Sequence, residues 1–107
     1  MSDAASLSEK MAELQKLRVA VVILLSQENS RLLSRRQRVA GKEIEVMCAE
    51  RDLAGNAGDA KAREMRATLQ AEDAAARQAL GEAEAEIVKL EALMARIDAD
   101  IAALCQS

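Results

Sequence analysis

In the second half of the chain, apolar residues follow one another at alternating steps of four and three: Ala76, Leu80, Ala83, Ile87, Leu90, Met94, Ile97, Ile101 and Leu104. This is a heptad seam, the pattern of a helix that buries one narrow stripe against a neighbour. The first half answers with Leu7, Met11, Leu14, Leu17, Val21 and Leu24, and later with Leu25, Leu32, Val39, Val46 and Leu53 at intervals of seven. The step from one series to the other predicts a first helix whose register drifts across a polar middle third.

The chief punctuation is LAGNAGDA, Leu53 to Ala60, almost at the middle of the chain. Gly55, Asn56 and Gly58 offer left-handed conformations there, and Asp59 is an N-cap residue for a second helix. Near the start, Ser6 and Glu9 have the spacing of a capping box. The expected elements are a frayed N-terminus over 1–6, a first helix over 7–54, a turn over 55–59 and a second helix over 60–104. Two segments of similar length joined by a short turn predict an all-α fold, a long antiparallel helical hairpin with arms on the order of 70 Å long. Gly41 and Gly81 fall inside the arms, where each costs about 1 kcal/mol relative to Ala, and mark either a close approach or a weak point.

One stretch does not fit a two-helix seam. VAVVILL, Val19 to Leu25, is apolar all round, and seven residues at 100° each cover the whole circumference of a helix. It is far shorter than the roughly 20 residues of a membrane span, and it lacks the alternation of a strand. Folding the hairpin about residues 56 and 57 sets it beside VKLEALM, Val88 to Met94. Val19, Val22, Ile23 and Leu25, with Val88 and Leu93 on the other arm, are therefore the expected contact residues for a second molecule. Self-association, most simply a homodimer forming a four-helix bundle, buries that belt.

Composition agrees with helices and narrows the chemistry. The chain has no Phe, Tyr, Trp or Pro and only four Gly, so it builds its core from many small faces and little interrupts a helix. With no His, the usual general base and the commonest metal ligand are missing, and neither an enzymatic role nor a cofactor is expected. Cys48 and Cys105 fall about 60 Å apart along such a hairpin, too far for a disulfide or a shared metal. Glu82, Glu84 and Glu86, two apart, spread around a helix instead of converging on one face. No secretory leader and no long apolar run is evident, so a cytoplasmic location with no membrane partner is expected.

A net charge of -3 argues against general coating of nucleic acid. One local feature keeps that reading open: in RLLSRRQRVAGK, Arg31, Arg35, Arg38 and Lys42 follow at steps of four, three and four, with Arg36 nearby. Such a stripe is able to track a phosphate backbone. The competing reading pairs it with acids of the second helix, among them Glu72, Asp73 and Glu82, and the lack of aromatic residues for base stacking favours the pairing.

The segment from Glu45 to Asp98 contains Gly55-Asn56-Ala57 at the end of a helix, Arg63 in the next one, and a trailing AEAEIVKLEALM coiled coil. In these features it resembles small Ala/Glu/Arg-rich coiled-coil hairpin proteins of tailed phages and bacterial prophages. The resemblance implies a small accessory protein and assigns no functional residue. It departs from the pattern around Ala74 to Ala76, where such proteins often carry an aromatic. The function expected from the whole reading is non-enzymatic binding of a macromolecule by an oligomeric hairpin. The alternatives are a nucleic-acid accessory protein using the basic stripe and a helical chaperone or inhibitor that docks a partner helix on the belt.

Overall fold

The computed structural model describes residues 2–106, with side chains from residue 4 onward. Among these residues there are two helices and no strand: α1, Ser2–Gly55, and α2, Ala60–Cys105. The fold is the all-α helical hairpin that the two seams predict.

The turn closes with short backbone bonds. The Asn56 N–H donates to the Leu53 carbonyl at 3.1 Å, and the Asp59 N–H donates to the Asn56 carbonyl at 3.0 Å. Asp59 then caps α2 as expected, its Oδ1 accepting from the Lys61 and Ala62 amides at 2.9 and 3.3 Å. The expected left-handed glycine is not used, since no described residue has a positive φ. α1 also begins earlier than expected, at Ser2, so Ser6 lies inside the helix and does not cap it. Ala4 and Ala5, the best helix formers, carry the helix past the capping signal. Met1, in the segment expected to fray, lies outside the described residues.

The chain groups into two compact units. The first takes residues up to Asn29 and from Ala85 onward; the second is Ser30–Glu84. In the first, Val21, Leu90 and Ile97 form the buried core, with Leu25, Leu93, Met94 and Ile101 packed against them. In the second, the buried side chains are smaller: Val39, Ala49 and Leu53 of α1, and Ala76 and Ala83 of α2.

The burial pattern corrects the drifting register expected for α1. Its buried and half-buried positions run from Val21 through Leu25, Glu28, Leu32, Arg35 and Val39 to Lys42, and on to Leu53, at unbroken steps of four and three. Leu17 and Leu24, expected in the seam, are each 46% exposed. Register is preserved because α1 keeps one face toward α2 throughout and admits Glu28, Arg35 and Lys42 to it. Glu28 is only 9% exposed. The seam of α2 matches its expected positions from Ala76 to Leu104 and extends back to Ala62, with Arg66 and Asp73 on the same line.

Candidate interaction surface

The belt divides between inside and outside. Leu25 and Leu93 pack against the core of the first unit, whereas Val19, Val22, Ile23 and Val88 are 59%, 44%, 52% and 65% exposed. Burying one such side chain contributes about 1.5 to 3 kcal/mol. Four exposed β-branched residues in one unit are therefore a large unmet gain for an isolated hairpin. Leu33, Ile44 and Met47 continue the exposed apolar positions of α1 into the second unit, at 60%, 63% and 63%. A run of consecutive apolar residues, the signal that marks the belt, does not reveal these three, which are spaced singly along the helix.

The basic stripe does not stay together. Arg35 and Lys42 occupy seam positions and are half-buried, while Arg31, Arg36 and Arg38 are exposed. Lys42 Nζ donates to Glu72 Oε2 at 2.6 Å and to Glu45 Oε2 at 3.2 Å. Hydrogen bonding to Glu72 and then Glu45 raises the Lys42 pKa above its ordinary value. The same bond holds the Glu72 carboxyl below its usual range. A cation tied into the seam in this way is withdrawn from a phosphate-binding row, and the reading that pairs this stripe with acids of the second helix describes Lys42.

Other ion pairs are exposed or local. Arg18 Nε meets Asp98 Oδ1 at 2.8 Å across the first unit. In the second, Arg77 Nε bonds Asp73 Oδ2 at 3.0 Å and its Nη2 reaches Glu43 Oε1 at 4.0 Å. The bond to Asp73 raises the Arg77 pKa. The other Asp73 oxygen, Oδ1, is buried without a hydrogen-bond partner, a local cost of placing a carboxylate on a seam line.

At the open end of the hairpin, Leu14, Leu17 and Leu104 line a shallow groove with Lys10, Glu13 and Asp100. Glu82, Glu84 and Glu86 are all exposed, and among the described residues no group of His, Cys, Asp or Glu is arranged to hold a metal ion. Cys48 and Cys105 are free and exposed. No helix of the described residues is long and apolar enough to cross a membrane. Comparison with family models, curated proteins and solved structures finds no match to this chain.

Proposed function

We propose that this chain is a non-enzymatic binding protein that works as a self-associating helical hairpin. The observation that carries the reading is the exposure of Val19, Val22, Ile23 and Val88 beside a core of only a few buried side chains. Exposed apolar side chains of this kind on both arms suit an interaction surface, and a homo-oligomer covers them in every copy at once. The chemistry available points the same way: without His, an acid–base mechanism loses its most common participant. Helical hairpins offer long faces, so the job that fits is holding a macromolecular partner. Sedimentation equilibrium over a concentration series tests self-association. A mass that rises above 11.5 kDa with concentration supports it, and 11.5 kDa throughout refutes it.

A further inference from the structure

We infer that copies of this chain join edge to edge, the outer face of α1 in one copy packing antiparallel on the outer face of α2 in the next. This rests on the self-association proposed for the chain and specifies its geometry.

On α1, a second line runs two residues before the seam positions, from Val19 to Met47 at the same steps of four and three. It reads V-I-S-S-L-Q-A-I-M, and every member is exposed. Over this span the line facing solvent carries no charge, whereas the seam facing α2 carries Glu28, Arg35 and Lys42. That inverts the arrangement of a helix with one partner, whose outer face is charged. An offset of two residues places the outer line about 160° from the seam, so α1 presents two opposed contact faces.

The second helix repeats the arrangement with the same offset. From Ala67 to Ala102, again at steps of four and three, its outer line reads A-A-A-Q-G-A-V-A-A-A-A, and every member is exposed. A line of alanines alone specifies no ligand. Its occupant is indicated by the other edge of the same hairpin, which carries large side chains where this one is flat.

When the two lines are laid antiparallel with Ile23 level with Ala95 of the second copy, the sizes interleave. Leu33 then meets Ala85, and Ile44 meets Ala74. Val88, the largest apolar side chain on the alanine line, meets the small Ser30. A flanking charge agrees with this register, Arg36 coming beside Glu84 of the second copy, both exposed, while Arg77 already reaches Glu43 of its own hairpin at 4.0 Å. A shift of one heptad in one direction sets Leu33 on Gln78 and Arg36 beside Arg77. In the other it sets Gln37 on Val88, Met47 on Gln78 and Glu43 beside Glu84, so both place large side chains on large ones and like charges together. Packing α1 on α1 of a second copy leaves the alanines uncovered.

The line on α1 is about 42 Å long at helical rise. A contact of that length and one helix width buries on the order of 1,000 Å² over both copies, the floor for a specific interface. Because the two contact faces of each helix are nearly opposite, copies add side by side in a row or wide ring and do not close around a four-helix core. The contact is heterologous, each copy offering α1 to one neighbour and α2 to the other.

Disulfide trapping tests this. In a background with Cys48→Ser and Cys105→Ser, the double variant Ile23→Cys with Ala95→Cys is oxidised gently and run on a non-reducing gel, with helicity checked by circular dichroism. The expected result is a ladder of covalent dimers and higher species. Ile23→Cys alone, Ala95→Cys alone, and Ile23→Cys with Val88→Cys should give little product, since cross-linking requires close Cα atoms. Cross-linking of Ile23→Cys alone, or no product from an oligomer of undiminished mass, overturns the edge pairing while self-association stands. A monomeric background protein overturns both. Charge reversal is an independent readout: Arg36→Glu should weaken association several-fold and Arg36→Glu with Glu84→Arg should recover it, whereas equal loss in both refutes the register.

Discussion

Lys42 on α1 and Glu72 on α2 are joined by a 2.6 Å ion pair, with the lysine side chain only 16% exposed. It is a polar clasp on the line that elsewhere carries Val39 and Val46. Glu72 has a lowered folded-state pKa, so its contribution is present above the ordinary carboxylate value and is lost as pH falls through the depressed one. Lys42 has a raised pKa, so its contribution is present below the ordinary lysine value and is lost as pH rises through the raised one. Melting temperature against pH at low salt should therefore show an acid limb that Glu72→Gln flattens, and an unchanged limb in that variant would place the acid sensitivity elsewhere.

Core and flank should separate cleanly by mutation. Ile97 is 2% exposed within the core of the first unit, and Ile97→Ala should cost about 2 to 5 kcal/mol in urea unfolding. Leu17, 46% exposed, should cost well under that when changed to Ala. Equal losses would mean that Leu17 belongs to the seam after all.

Gly41 gives a prediction of opposite sign. A Cβ built there meets nothing within 4 Å, so the glycine costs helix stability without making room for a neighbour within the hairpin. Gly41→Ala should stabilise the fold by about 1 kcal/mol, read as a rise in melting temperature. A fall would show that another molecule approaches this position closely.

The division of the basic stripe bears on nucleic acid. With Arg35 and Lys42 drawn into the seam, Arg31, Arg36 and Arg38 form a short exposed group in a chain with no aromatic residue. Titration with duplex DNA and with RNA at rising salt should give weak binding with a shallow salt slope. Tight binding with a steep slope would show that the seam opens to release its cations.

The hairpin, its turn, the Asp59 cap and the seam of α2 were legible in the sequence because each has a local cause: a break in helix formers, a capping side chain, a clean heptad of Leu and Ile. The seam of α1 was legible only in part: Val21, Leu25, Leu32, Val39, Val46 and Leu53 lie on it, but hydrophobic periodicity cannot mark positions filled by Glu28, Arg35 and Lys42, and Leu17 and Leu24 offered a tempting false register. The outer lines were obscured for the converse reason. Alanine between Ala67 and Ala102 reads as helix-forming filler until the inner seam is fixed and the remaining faces can be compared.

Light scattering on the wild-type chain and on Ile23→Lys, both at micromolar concentration with helicity verified, tests self-association through the outer face most directly. The expected result is a wild-type mass above 11.5 kDa and a shift toward 11.5 kDa in the helical variant. A wild-type mass of 11.5 kDa, or an oligomer that Ile23→Lys leaves unchanged, would contradict it.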